Sequence, residues 1–144
     1  MKQQQNISCD IFCAVVDNYG DIGVCWRLAK QLAHEFGISV RLWVDDLASF
    51  RKLCPGLDPV LPTQCCGGVE VRHWGVAFPE VEPAQLAIES FACELPERYV
   101  AAMAAQTNKP VWVNLEYLSA EDWVAGCHAL PSPHPRLPLV KYFF

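Results

Sequence analysis

The sequence lacks an excess of basic residues. Its 144 residues include 11 lysines and arginines against 16 aspartates and glutamates, which gives a net charge of −5 and a pI near 5.3. Nucleic acids and anionic membrane surfaces both attract basic protein faces. The charge balance therefore argues against a non-specific nucleic-acid or membrane-surface binder, and it is compatible with a basic protein partner.

Long hydrophobic runs are also missing. A membrane-spanning helix takes about 20 consecutive apolar residues, and no stretch of this chain reaches that length. The amino terminus carries Lys2 but no continuous apolar segment of the kind found in secretory signals. We therefore expect a cytoplasmic protein. With 52% hydrophobic and 19% charged residues, the chain has enough apolar material for one sizeable core.

The eight cysteines lack the spacing of a metal site or a disulfide framework. No C-x-x-C pair occurs, and Cys65 and Cys66 are adjacent, which does not suit tetrahedral zinc. A reducing compartment would leave all eight as thiols. The nearest approach to a ligand cluster, Cys127, His128 and His134, lies in a proline-rich segment, and we expect no bound metal there.

The most informative stretch runs from residue 10 to residue 32. It opens with an apolar run, Ile11 to Val16, that is typical of a strand buried on both faces of a parallel sheet. A polar turn containing Gly20 follows, and from Ile22 the spacing of apolar residues becomes helical. The residues predicted to share the apolar helix face are Cys25, Leu28, Ala29, Leu32 and Phe36. This order of strand, turn and helix predicts the first βα unit of a nucleotide-handling α/β fold.

Two carboxylates, Asp17 and Asp21, lie in the predicted turn. Side chains just beyond the carboxyl end of a parallel strand project into the crevice where open α/β sheets bind ligands, and the start of a helix offers an anion site. Only Gly20 and Gly23 of a G-x-G-x-x-G fingerprint are present, so a dinucleotide site is not supported. Alternatively, Asp21 caps the helix and Asp17 is a solvated strand end. The spacing alone leaves both interpretations open.

Strands and helices are predicted to alternate through the rest of the chain. Gly37 is well placed to end the first helix, because glycine readily takes the left-handed conformation there. The predicted strands cover residues 38–44, 69–74, 85–88 and 110–115, and the predicted helices cover 47–53, 96–106 and a short turn through 125. Segments 57–68 and 126–138 contain clustered proline and glycine and are expected to be irregular.

Several polar residues near helix starts are interpreted as caps. Asp45 and Asp46 precede the predicted helix at 47–53. Ser119 and Asp122 have the three-residue spacing of a capping box for the short helix that follows. Capping is a structural role, and it is the interpretation that the sequence favours for these four residues.

Four acidic residues stand at the ends of predicted strands: Asp17, Asp45, Glu89 and Glu116. The carboxyl ends of parallel strands meet at one edge of a sheet, so these carboxylates are predicted to line that edge. An acidic edge favours a cationic ligand. The guanidinium of arginine pairs with carboxylates through two parallel hydrogen bonds and is suited to such a site.

Three motifs carry a resemblance to a known family. They are VDNYGDIGVCWRLA at residues 16–29, FACELP at 91–96 and WVNLEYLSAE at 112–121. Together they resemble the amino-terminal half of EarP, the bacterial protein-arginine rhamnosyltransferase family that modifies elongation factor P. The resemblance extends over essentially the whole chain. It implies an α/β fold with a Rossmann-like parallel sheet flanked by helices, as the N-terminal half of a GT-B glycosyltransferase.

The resemblance also implies a reaction. The family is an inverting glycosyltransferase that uses dTDP-β-L-rhamnose as donor and an arginine of elongation factor P as acceptor, and no further cofactor is implied. By resemblance, Asp21 is the general base and Asp17 is its partner in orienting the arginine. The residues expected to contact substrate are Asn18, Tyr19, Gly20 and Gly23.

The resemblance predicts a division of the chain at residue 136. Residues 1–136 are expected to form the acceptor-binding domain, and the apolar run 137–144 to begin a further strand, with the family's donor-binding domain absent. Two alternatives stay open at this point. One is a different GT-B sugar transferase with a small-molecule acceptor, and the other is an elongation factor P interaction module without activity.

Overall fold

The computed structural model describes residues 5–15 and 19–144. Val16, Asp17 and Asn18 lie outside the described residues. The helices and strands, in chain order, are β1 Ser8–Cys13, α1 Gly20–Phe36, β2 Ser39–Val44, α2 Leu47–Phe50, β3 Thr63–Cys66, β4 Val69–His73, β5 Leu86–Ser90, α3 Glu97–Ala105, β6 Val111–Leu115, α4 Asp122–Ala125, β7 Pro131–Pro133 and β8 Val140–Phe143.

Within the described residues, eight strands form one sheet in the order β3-β4-β2-β1-β5-β6-β8-β7. The six inner strands, β4-β2-β1-β5-β6-β8, pair in parallel with their neighbours. The outer strands β3 and β7 pair antiparallel with β4 and β8. Numbered by their appearance in the chain, the parallel strands follow the Rossmann order 3-2-1-4-5-6. The order reverses between β1 and β5, and the ligand crevice of such a sheet lies at the carboxyl ends of these strands.

The predicted α/β Rossmann-like fold is confirmed. Strands β2, β4, β5 and β6 lie within two residues of their predicted ends. The edge strands β3 and β7 were not predicted, because each lies in a segment where proline and glycine indicate irregular structure. The apolar run at the end of the sequence forms β8, which pairs with β6 in the same sheet. The domain division after residue 136 stays a prediction.

The core has two parts, one on each face of the sheet. Helix α1 covers one face with four buried residues, Ile22, Cys25, Trp26 and Ala29. Phe36 was predicted to share this face but is 65% exposed, because it is the last residue of the helix and lies beyond the buried turns. Helix α3 covers the other face with Tyr99, Val100 and Met103. Neither these helices nor the others in residues 5–15 and 19–144 are long and apolar enough to cross a membrane.

A buried carboxylate, Asp10, ties β1 to three other parts of the fold. One oxygen accepts hydrogen bonds from Arg41 Nε at 2.5 Å and Trp43 Nε1 at 2.9 Å. The other accepts from Arg41 Nη2 at 2.6 Å, the Tyr99 hydroxyl at 2.6 Å and the Ala84 amide at 3.0 Å. Burial alone would lower the pKa of Arg41, but the hydrogen bonds and charge of Asp10 raise it. The network joins β1, β2, α3 and the segment before β5.

The hydrogen bonds observed at the helix ends test the capping roles that were predicted from the sequence. Gly37 has φ +64° and follows α1, which confirms its predicted role. Asp46 accepts a hydrogen bond from the Ser49 amide at 3.0 Å and caps α2 as predicted. Asp45 does not share that role, because its carboxylate accepts from the Val15 amide at 2.7 Å. The capping box predicted at Ser119 is wrong, since Glu121 precedes the first residue of α4 and no side chain caps that helix.

Replacing Asp46 with alanine is expected to destabilise the fold by about 1 kcal/mol, the usual cost of losing a helix cap. The hydrogen bond from the Ser49 hydroxyl, then that from its amide, lowers the pKa of Asp46 below its ordinary value. A lowered pKa contributes stability above the unfolded-state pKa and loses it as the pH falls. The difference in urea denaturation midpoint between the wild type and Asp46→Ala should therefore shrink in acid. A difference that does not depend on pH would contradict a charged cap.

Candidate functional site at the carboxyl edge of the sheet

Asp21 lies in the first turn of α1, directly beyond β1. Its two carboxylate oxygens accept hydrogen bonds from the hydroxyl of Tyr117, at 2.8 and 2.9 Å. Tyr117 follows β6 and is 96 residues away in sequence, so the sheet topology brings the pair together. The N-cap position is Tyr19, which makes no side-chain capping bond. Asp21 is therefore not the cap of this helix, and its carboxylate faces the crevice side of the sheet.

An aromatic pair supports this contact. The ring of Tyr117 stacks on that of Phe91, with centroids 4.2 Å apart and planes 13° from parallel. The hydrogen bond to Asp21, followed by partial burial, raises the pKa of Tyr117 to about 12. Tyr117 is still 60% exposed, so the pair presents a flat aromatic surface next to a carboxylate.

The loop that presents Phe91 has a strained backbone. Phe91, Ala92 and Glu94 have φ of 53°, 53° and 56°, values that residues other than glycine rarely adopt. Such strain persists only where the surroundings hold it in place, and it concentrates at functional sites. We therefore regard the loop at residues 91–94 as part of the site.

Neighbouring strands hold the loop by its amides. The Phe91 amide donates to the Leu115 carbonyl at 2.7 Å, and the Ala92 amide donates to Asn114 Oδ1 at 3.1 Å. The Leu95 amide donates to Glu89 Oε1 at 3.2 Å. Because these N–H groups are already used, they are not free to cradle a phosphate.

The predicted row of acidic residues is only partly present. Glu89 was expected at the edge, but it lies inside β5, is 2% exposed and pairs with Lys141 Nζ at 2.8 Å. Its side chain faces the α3 side of the sheet, where it anchors the 91–94 loop. Asp45 binds the Val15 amide, and Glu116 is exposed and accepts from Asn114 Nδ2. Asp17 lies outside the described residues.

The residues predicted to contact substrate have different surroundings. Asn18 lies outside the described residues. Tyr19 is 41% exposed, and its hydroxyl accepts a hydrogen bond from Lys52 Nζ. Gly20 is the first residue of α1, and the Gly23 amide donates to the Tyr19 carbonyl at 2.9 Å as part of the first helical turn. Their roles toward substrate stay predictions.

Buried thiols lie beneath Asp21. The hydrogen bond with Cys25, followed by burial, raises the pKa of Cys13 well above its usual range, and Asp21 adds a smaller effect of the same sign. Burial raises the pKa of Cys93 to about 12. These groups stay protonated at neutral pH and act as apolar packing. All eight cysteines are free thiols.

An apolar depression of about 670 Å³ opens beside Tyr117. Trp123 and Phe144, which line it, are 67% and 44% exposed. His128 also lines it and packs edge-on against Phe144, with ring centroids 4.8 Å apart. The depression adjoins the carboxylate site through Tyr117, which belongs to both.

Sequence reasoning found Asp21 but missed Tyr117, Phe91 as its stacking partner, and Asn114. One signal was available for Tyr117, because it follows a predicted strand end at the same edge as Asp21. The loop strain had no signal, since nothing in the sequence FACELP indicates three residues with positive φ.

The fold and site define a Rossmann-like α/β domain with a carboxylate at the strand-order reversal. Comparison with known sequences identifies the family. The profile described as "Elongation-Factor P (EF-P) rhamnosyltransferase EarP" matches residues 9–144, and the chain belongs to this family.

Three named relatives are close in sequence. The protein-arginine rhamnosyltransferase of Pseudomonas putida is 61% identical over 135 residues, covering 94% of this chain and 36% of the relative. That of Pseudomonas aeruginosa is 58% identical over 137 residues, with 95% and 36% covered. That of Shewanella oneidensis is 54% identical over 142 residues, with 94% and 35% covered. The chain thus spans about a third of the length of these relatives.

Proposed function

We propose that this chain is the acceptor-binding, Rossmann-like half of a cytoplasmic GT-B glycosyltransferase that transfers L-rhamnose from dTDP-β-L-rhamnose to an arginine of elongation factor P. The observation that carries the proposal is the half-buried carboxylate of Asp21 next to the Phe91 and Tyr117 rings. Carboxylates pair with guanidinium groups, and aromatic faces stack on them. The name of the relatives, protein-arginine rhamnosyltransferase, supports the same acceptor chemistry.

The chemical difficulty is the nucleophile. A guanidinium has a pKa above about 12, so no carboxylate can deprotonate it before the reaction. Asp21 is proposed to hold the guanidinium in place and to accept a proton from its attacking nitrogen as that nitrogen bonds to the anomeric carbon. The bond from this carbon to the phosphate oxygen breaks at the same time, and dTDP leaves with the electron pair. Attack from the opposite side inverts the configuration.

Other roles come from the family resemblance. Asp17 is proposed to orient the arginine together with Asp21. Asn18, Tyr19 and Gly20 are proposed to face the donor, and Gly23 to contact substrate. The apolar depression beside Tyr117 is proposed to add apolar contact area for a protein acceptor next to the carboxylate.

The test is transfer of labelled rhamnose to elongation factor P. A protein of the relatives' full length that contains these residues should label one arginine when given dTDP-β-L-rhamnose. A variant of the acceptor with lysine at that arginine should stay unlabelled. Binding of elongation factor P without transfer would instead indicate an interaction module, and labelling of a small acceptor alone would indicate a different sugar transferase.

A further inference from the structure

The hydroxyl of Tyr117 occupies a particular position on Asp21. Its distances to the two carboxylate oxygens, 2.8 and 2.9 Å, are almost equal. A single donor nearly equidistant from both oxygens lies between them, at the open end of the carboxylate. Arginine approaches a carboxylate from this same end when it donates two parallel N–H bonds. Tyr117 therefore stands where a paired guanidinium would stand.

The helix that carries Asp21 packs its opposite face into the core, where Cys25 is fully buried. A ligand that pairs with both oxygens of Asp21 has to displace the Tyr117 hydroxyl, because this hydroxyl is hydrogen-bonded to both of them. Tyr117 is 60% exposed, so its ring has space to move outward.

We propose that Tyr117 is a displaceable partner of Asp21, whose hydroxyl leaves the carboxylate when a guanidinium binds. The proposal rests on the function proposed above, in which Asp21 receives the acceptor. Displacing Tyr117 costs the hydrogen bond to Asp21. A guanidinium replaces it with two directed N–H bonds, whereas the ammonium of lysine is a compact charge without that fork geometry.

Phe91 sets how firmly Tyr117 is held. Its ring stacks on that of Tyr117 and is presented by the strained loop at residues 91–94. Asn114 fixes this loop through the Ala92 amide. The resting position of Tyr117 is thus determined by both a hydrogen bond and a stacking contact, and an outward movement of the ring breaks the hydrogen bond and shifts the stacking contact.

The test uses the 144-residue chain and methylguanidinium, followed by NMR titration. The Tyr117→Phe variant should bind this probe about fivefold more tightly than the wild type, because no hydrogen bond has to be displaced first. In the wild type, the ring signals of Tyr117 should shift on titration, as its hydroxyl leaves Asp21.

Tyr142→Phe is the matched control. Tyr142 is an exposed tyrosine on β8 and should leave the affinity unchanged. Asp21→Asn should abolish the shift at Tyr117. Equal or weaker binding by Tyr117→Phe would overturn the proposal, and so would the absence of probe binding at Asp21 in both proteins. The proposed transferase function is tested separately, by rhamnose transfer in the full-length protein, so the two failures are distinguishable.

Discussion

Replacing Asp10 with alanine is expected to destabilise the folded chain by about 3–5 kcal/mol, the scale measured when one partner of a buried ion pair is removed. Asp10 is fully buried and accepts five hydrogen bonds, so the substitution leaves the Arg41 guanidinium and three other donors without their acceptor. Urea denaturation measures the loss as a lower midpoint, with the slope unchanged if the native state stays compact.

Two further variants test whether the buried hydrogen-bond network of Asp10 is the cause of this loss of stability. Tyr99→Phe removes one donor and leaves the acceptor satisfied, so about 1 kcal/mol is expected. Glu70→Ala is the matched control, because Glu70 pairs with Arg72 at 3.0 Å on the adjacent part of the sheet but both side chains are partly exposed. Such pairs contribute at most about 1 kcal/mol. Similar losses for Asp10→Ala and Glu70→Ala would show that the buried network does not hold the strands together.

Much of the fold was predictable because its signals are local. The apolar run of β1, the helical spacing after Ile22 and the glycine at residue 37 each act within a few residues. The short edge strands β3 and β7 were not predictable in this way. Their pairing partners come from β4 and β8, while their own composition resembles that of a loop.

The site was predictable only in part, because its contacts are distant in sequence. The position of Asp21 beyond a buried strand marked it as a candidate. Its partner Tyr117 lies 96 residues further on, and only the strand order places both at one edge. Glu89 was placed wrongly at the edge, because β5 ends two residues later than predicted and its carboxylate lies in the interior.

If the proposed function holds, replacing Asp21 with asparagine in a protein of the relatives' full length is expected to lower the rate of rhamnosyl transfer by at least about a hundredfold, the usual scale for removing a general base. Asparagine has almost the same shape, and its amide oxygen can still accept the Tyr117 hydroxyl. It cannot take a proton from the arginine nitrogen. The measurement is the single-turnover rate with saturating donor, together with the affinity for elongation factor P, which should change little.

A control separates this chemical role from a structural one. Asp122 is also an acidic residue in the first turn of a helix, α4, so Asp122→Asn loses the same interaction with a helix terminus. It should keep near-normal transfer, because a first-turn carboxylate contributes only a few tenths of a kcal/mol at an exposed position. If Asp21→Asn behaved like Asp122→Asn, Asp21 would be serving the helix and not the reaction. A loss confined to Asp21→Asn, with unchanged thermal stability, places the proton transfer at its carboxylate.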